Sequence, residues 1–219
     1  MPVLNESTGI LAALGALAPL RERGAEVIVV DGGSHDGTLD RAAPLADRVL
    51  SATRGRASQM NAGAAEARGR TLLFLHADSR LPPHAPTLVE QALADHSWGR
   101  FDVAIEGRSM WLAVIAAMMN LRSRFTGIAT GDQAIFVTRA AFDAAGGFPD
   151  QPLMEDIELS KRLKRIGPPA CLRARVATSG RRWDTHGVWR TIVLMWRLRF
   201  DYWRGVAPVR LAARYDSGE

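Results

Sequence analysis

The chain has 219 residues, 47% hydrophobic and 23% charged, a balance that supports a sizeable core and excludes both a disordered chain and a polytopic membrane protein. Lys and Arg outnumber Asp and Glu by 28 to 23, an excess too small and too scattered to mark a nucleic-acid-binding protein. The single cysteine, Cys171, can form no internal disulfide and leaves no Cys/His ligand set for zinc, which fits a reducing cytoplasm.

No charged region followed by an apolar run opens the chain, so no signal peptide is expected. A helical pattern covers residues 10–20. The β-branched run EVIVV at 26–30 ends in DGG and reads as a buried parallel strand entering a turn. Helical patterns follow at 38–46 and 58–67, then a second strand, TLLFLH, at 71–76, and a helix at 86–94. FDVAIE (101–106) and AIFVT (134–138) are further strand candidates, separated by a long apolar helix over 109–122. Its apolar stretch, Met110 to Met119, falls short of the roughly 20 residues that span a bilayer. A Gly-Gly-Phe-Pro break at 146–149 and an amphipathic helix at 154–166 bracket a loop, 149–155, expected to be exposed. Strands alternating with helices predict an α/β fold, a mostly parallel central sheet flanked by helices, with ligands at the carboxyl ends of the strands. The tail at 188–204 mixes Trp189, Trp196, Tyr202 and Trp203 with Arg190, Arg197, Arg199 and Arg204. As a helix it either lies on an anionic membrane surface or covers the sheet with its arginines toward water.

Five segments carry candidate chemistry. Asp31, opening DGGSHDGT after the first strand, can accept hydrogen bonds from a ribose or base, or can simply shape a turn in which Asp36 caps the next helix. Asp78, in HADS after the second strand, suits a magnesium or manganese ion that takes its other ligands from water and substrate phosphates. His76 beside it is expected to be a hydrogen-bonded, half-buried histidine. Arg54 and Arg56 precede a helix start, and both guanidinium groups and helix amides favour phosphate. Glu155 and Asp156 open a helix, where acids suit the helix dipole, and either could act as a general base. Arg182 and Trp183 offer a cation and a stacking plane.

PVLNES (2–7), EVIVVDGGSHDGT (26–38), LHADS (75–79), GGFPDQPLMEDIELSKRL (146–163) and RRW (181–183) together resemble a family 2 glycosyltransferase. More narrowly, the chain resembles a small bacterial branch that carries GDQ, here Gly131, Asp132 and Gln133, and includes members associated with arsenosugar biosynthesis. The resemblance implies a GT-A fold over residues 1–187, followed by an amphipathic helical tail at 188–219. It implies inverting, metal-dependent transfer from a nucleotide diphosphate sugar to an acceptor hydroxyl. Pro2, Glu6 and Asp31 would line the nucleoside pocket, Arg54 and Arg56 would face the diphosphate, and Asp78 would hold Mg²⁺ or Mn²⁺. Asp156 would be the base, with Gly131, Asp132, Gln133, Glu155, Arg182 and Trp183 around acceptor and diphosphate. His76 stands where the family's D-x-D has its first acid, and Ser179 where Q-x-x-R-W has Gln.

In that family a central strand leads into the Pro-x-x-Asn-Glu turn, whereas Met1 immediately precedes Pro2 here. A strand so shortened predicts orphaned backbone groups on both its neighbours, and a natural chain beginning several residues earlier. A nucleotidyltransferase would want a Gly-rich, Lys-bearing loop after its first strand and a dinucleotide-dependent oxidoreductase a G-x-G-x-x-G; neither is found. A non-enzymatic, basic peripheral membrane module using 188–204 is the remaining alternative. Contact of the tail with lipid would favour a lipid-linked acceptor, at the inner membrane face; otherwise a soluble hydroxyl compound serves.

Overall fold

The computed structural model describes residues 1–217, so Gly218 and Glu219, the end of the expected tail, lie outside the described residues. The chain opens with strand β1 (Pro2–Val3), helices α1 (Ile10–Gly15) and α2 (Ala18–Arg21), β2 (Ile28–Asp31), α3 (Thr38–Ala42), β3 (Arg48–Ser51) and α4 (Arg56–Glu66). It continues through β4 (Thr71–Leu73), β5 (Ser79–Arg80), α5 (Ala85–Asp95), β6 (Trp98–Glu106) and α6 (Trp111–Thr126). A 3-10 turn at Gly131–Gln133 precedes β7 (Phe136–Thr138) and α7 (Arg139–Ala144). The last part comprises α8 (Glu155–Ile166), β8 (Ala170–Ser179), α9 (Arg181–His186), α10 (Val188–Trp203) and α11 (Pro208–Ser217).

The α/β architecture is as the sequence predicts. Strands β1, β2 and β3 form a parallel sheet, with Pro2 opposite Val30 and Ile28 opposite Arg48. The remaining strands form a second sheet in the order β4-β7-β6-β8-β5, in which only β6 and β8 run parallel. Parallel pairing is therefore less general than expected. Two of the three antiparallel pairs are made by β7, which lies between β4 and β6, and the third joins β5 to β8, two strands that no unbroken apolar run announces. In β8, exposed Arg173 and Arg175 alternate with more buried neighbours, the period-2 pattern of a strand with one wet face.

Strand β1 is short, as expected, and pairs with β2 alone. The Met1 amino group donates to the Ile28 carbonyl (2.8 Å) and Val30 N–H donates to the Met1 carbonyl (2.9 Å). Burial lowers the pKa of that amino group to about 5. No ladder joins β1 to β4. Between β2 and β4, beneath α4, lies a cavity of ≈ 90 Å³ whose walls include Ile28, Val30, Met60, Leu72 and Phe74.

One core cluster packs β1 and β2 against α1 and α5 through Val3, Ile10, Leu14, Val29 and Val89. A second joins α4, α7 and α8 around Phe74, Phe142 and Phe148, with Phe74 and Phe148 meeting edge to face at 4.8 Å. In a third, Leu194, Leu198 and Leu211 from α10 and α11 cover Leu153, Met154 and Ile157. This corrects the expected exposed loop at 149–155. Asp150 and Pro152 are exposed, but Leu153, Met154 and Glu155 are buried because the two tail helices pack onto them. One buried polar network ties β6 to α6: Arg100 donates to Asp102 and to the Asn120 carbonyl (3.1 Å), and Arg124 donates to the other Asp102 oxygen (2.7 Å).

Candidate active site

The carboxyl ends of β1 and β2 supply two loops that bind each other. Asn5 N–H donates to Ser34 Oγ (2.8 Å), His35 N–H to Asn5 Oδ1 (3.0 Å), Glu6 N–H to Thr38 Oγ1 (2.9 Å) and Ser7 N–H to Asp36 Oδ2 (3.0 Å). Asp36 also accepts from the Thr38 hydroxyl, and these bonds hold its carboxyl well below the usual range. Its role is thus to anchor the Ser7 turn as well as to start α3. Asp31 is buried and accepts from Gly33 N–H (2.8 Å), Ser34 N–H (2.9 Å) and Ser34 Oγ (2.5 Å). Both readings of Asp31 place it here, but its oxygens are engaged in its own turn, so it shapes this rim. Pro2 sits in the β1 pairing at the rim's base.

The rim joins the other segments by side-chain contacts. Arg181, at the start of α9, donates to Glu6 Oε1 (3.2 Å). Ser179 N–H donates to the Asp78 carbonyl (3.2 Å), which sets the HADS turn beside the SGRRW segment, and leaves the Asp78 side chain exposed. Ser179 Oγ accepts from Arg181 N–H (3.2 Å), so the residue standing in the place of Gln starts α9. His76 is half-buried, as expected, with Nδ1 3.6 Å from Asp132 Oδ1. Partial desolvation opposes ionisation of Asp132, whose side chain is 46% exposed, but His76, Arg56 and Arg199 outweigh it and lower its pKa.

Gly131, Asp132 and Gln133 form the 3-10 turn that brings β6 and α8 together. Gly131 N–H donates to Asp156 Oδ2 (2.9 Å), while Ile157 N–H donates to Asp156 Oδ1 (2.7 Å). Gln133 departs from the ligand-facing role expected of it. It is fully buried, with Oε1 accepting from Thr130 N–H (3.2 Å) and Nε2 donating to Asn120 Oδ1 (3.3 Å), and so fixes the turn from behind. Non-glycine residues rarely adopt positive φ, yet Asn5 (53°), Ala134 (45°) and Met154 (66°) do so here, each beside a loop of this cleft.

Arg56 opens α4 and faces the acids. Desolvation would lower its pKa, but the charges of Tyr215, Glu155, Asp132 and Asp156 raise it above the ordinary value. Arg54 is exposed in the loop ahead of α4. Arg182 donates to the Tyr215 carbonyl (2.7 Å) and lies 3.7 Å over the Tyr215 ring, with Trp183 half-buried beside it. Two residues that the sequence reading did not assign to the site lie beside these acids. Arg122 is lowered to about 10, chiefly by burial and then by Arg199, and its Nε and Nη2 are buried without a hydrogen-bond partner. Arg199 is lowered by burial, opposed by Asp156 and Asp132. The only sequence signal for Arg122 is a cation set in the apolar α6 pattern. Asn61 of α4 holds the segment leading to the acids: Nδ2 donates to the Phe148 carbonyl (2.8 Å) and Phe148 N–H donates to Asn61 Oδ1 (2.9 Å). Gly147, at φ 66°, is required beside it, since a Cβ there would lie 2.8 Å from Asn61 Oδ1.

Glu155 is buried, and burial followed by the charge of Asp156 raises its pKa to about 7. The folded chain therefore keeps a proton that the unfolded chain has lost above pH ~4.5. The contribution of Glu155 to stability should fall by about 3 kcal/mol as pH rises from ~4.5 through 7, while the buried Met1 amino group adds an opposite slope from about pH 5 upward, so the stability difference between the parent and Glu155→Gln should change by about that amount across the range. Urea midpoints measured across this range check it; parallel profiles for the two proteins would reject the assignment.

The sequence profile described as Glycosyl transferase family 2 matches residues 1–141. Among solved structures, the chain is similar to the mannosyltransferase PcManGT from Pyrobaculum calidifontis in complex with GDP-Man and Mn²⁺. The TM-score is 0.66 at 22% identity, over 94% of this chain and 64% of that one. It is also similar to glucosyl-3-phosphoglycerate synthase from Mycobacterium tuberculosis in complex with Mn²⁺ and UDP-glucose (TM-score 0.58, 22% identity, 81% and 67%). A third similar structure is S. aureus TarS 1-349 (TM-score 0.61, 18% identity, 87% and 62%). The chain thus spans about two thirds of the length of each. At these identities the likeness establishes the fold, GT-A. No curated protein matches the sequence.

Proposed function

The chain belongs to glycosyl transferase family 2, and from that premise we propose that it is an inverting glycosyltransferase of the hexosyltransferase class. It would move a sugar from a nucleotide diphosphate sugar, with UDP as carrier, to an acceptor hydroxyl. Residues 1–187 form the catalytic domain in this reading and 188–219 a helical tail covering its acidic edge. The observation that supports this reading is that side chains link the separated segments, Glu6 with Arg181, His76 with Asp132, and Gly131 with Asp156.

Transfer needs a base for the acceptor proton and positive charge where the diphosphate departs. Asp156, held by two backbone N–H groups at the tip of α8, takes the proton as the acceptor oxygen attacks the anomeric carbon from the face opposite the diphosphate. The bond from that carbon to the diphosphate breaks, and its electron pair leaves with the diphosphate. In this reading Arg56 would receive that charge together with Arg182, whose guanidinium rests on Tyr215 in this structure, and Gly33, beside which no atom lies within 4 Å of a Cβ position, would leave the loop backbone open to the nucleoside.

Among the described residues no cluster of three or more His, Cys, Asp or Glu could hold a metal ion. The exposed Asp78 carboxylate nevertheless fits Mg²⁺ or Mn²⁺, because such an ion completes its shell with diphosphate oxygens and water. When bound there it would neutralise the leaving group. Mn²⁺ in the similar mannosyltransferase and glucosyl-3-phosphoglycerate synthase supports this. The acceptor in our reading is a hydroxyl compound met in the cytoplasm, carried by lipid where the chain meets a membrane.

Thermal-shift screening of UDP-, GDP- and TDP-sugars with and without Mn²⁺ tests the donor site. Stabilisation by one nucleotide class should be greater with Mn²⁺, and Asp78→Asn should remove the Mn²⁺-dependent part. Equal shifts in the variant would move the metal away from Asp78, and no shift with any donor would reject the reading.

A further inference from the structure

Helices α6 and α10 expose two apolar stripes. On α6, Trp111, Val114, Met118, Leu121 and Phe125 recur at alternating steps of three and four, so they share one side of the helix. Phe125 is 83% exposed. On α10, Trp189, Val193, Trp196, Phe200 and Trp203 repeat the same spacing, with Trp196 67% and Trp203 80% exposed. The stripes meet where the Trp111 and Trp189 rings lie 5.5 Å apart. A single-helix reading of the tail does not anticipate this pairing, because half of the face belongs to a helix within the catalytic domain.

The α10 stripe has a second regularity. The dipeptide Trp-Arg recurs every seven residues, at 189–190, 196–197 and 203–204. Seven residues are nearly two helical turns, so the three Trp form one line, about 10 Å apart, and the three Arg form a second line beside it. Trp rings favour the boundary between hydrocarbon and water, and Arg side chains reach from an apolar surface toward anionic groups. Neither exposed stripe carries a carboxylate: α6 contains no acid, and the one acid of α10, Asp201, pairs with Arg214 at 2.7 Å. A second copy of the chain would bring another row of cations to the same seam. An anionic surface complements it.

We propose that the joined α6–α10 face seats the protein on an anionic lipid bilayer, lying in the headgroup boundary without crossing it. Among the described residues no helix is long and apolar enough to cross. The opposite side of α10 packs Leu194 and Leu198 against the segment that carries Asp156. Seating the face therefore holds the base about one helix diameter, ~10 Å, above the lipid.

Co-sedimentation of the full chain with vesicles, with no sugar nucleotide present, tests this independently of the transferase reading. The chain should pellet with phosphatidylcholine vesicles containing phosphatidylglycerol and less with phosphatidylcholine alone. Trp196→Ser/Trp203→Ser should cut partitioning at least about tenfold while keeping the thermal midpoint, since both rings are exposed. Arg197→Ala/Arg204→Ala should weaken binding to the anionic vesicles alone, by roughly fivefold per cation. Brominated lipid should quench the tryptophan fluorescence of the parent chain. A parent chain that stays in the supernatant with anionic vesicles would overturn the proposal. So would a dimer in sedimentation velocity that the Trp variant dissolves without any vesicle binding.

Discussion

Replacing Asp156 with Asn is expected to lower turnover by about 10²- to 10⁴-fold, the range that a positioned general base contributes. The fold should survive, because the Asn carbonyl oxygen can still accept the Gly131 N–H that the carboxylate accepts at 2.9 Å, and only the local bond from Ile157 N–H is lost. Affinity for the nucleotide sugar should be nearly unchanged, since Arg56 and Asp78 remain in place. Single-turnover kinetics separated from donor titration by calorimetry would read the two effects apart. Undiminished turnover would reject Asp156 as base, and Glu155, which retains its proton toward neutral pH, would not be the natural replacement.

The second large effect falls on stability. Asp102→Ala should destabilise the fold by about 3–5 kcal/mol, because it leaves the fully buried Arg100 guanidinium without its counter-charge. Arg100 would keep only the Asn120 carbonyl, and its Nε is already without a partner. Arg124 loses the same carboxylate but is partly solvated and suffers less. Adding Arg100→Met to Asp102→Ala should recover much of the loss, since apolar replacement of a buried ion pair is often near neutral. Urea denaturation of the two variants measures both. A loss below about 0.5 kcal/mol in the single variant would mean that water or Asn120 satisfies Arg100 unaided.

Much of the α/β order was legible because EVIVV, TLLFLH and FDVAIE are apolar runs bounded by turn residues, and such runs have few alternatives. Strand β8 was not, because its wet face interrupts the run with Arg173 and Arg175. In the cleft, residues near one another in sequence, such as Asp31 with Ser34 and Glu155 with Asp156, could be grouped from the chain alone. Gln133 could not be assigned its inward orientation, which depends on Asn120 of α6. Arg122 and Arg199 were illegible for the same reason: each becomes a neighbour of Asp156 only after α6 and α10 have docked. Loop 149–155 looked solvated because its cover arrives some 40 residues later.

The reciprocal amide bonds between Asn61 and Phe148 make α4 a splint across the cleft. Arg56 begins this helix, and Asn61, further along the same rigid rod, grips the polypeptide just ahead of the Glu155–Asp156 pair. A tilt of α4 would therefore move cation and carboxylates in the same direction, so that their separation would vary less than either one's distance from the β1–β2 rim.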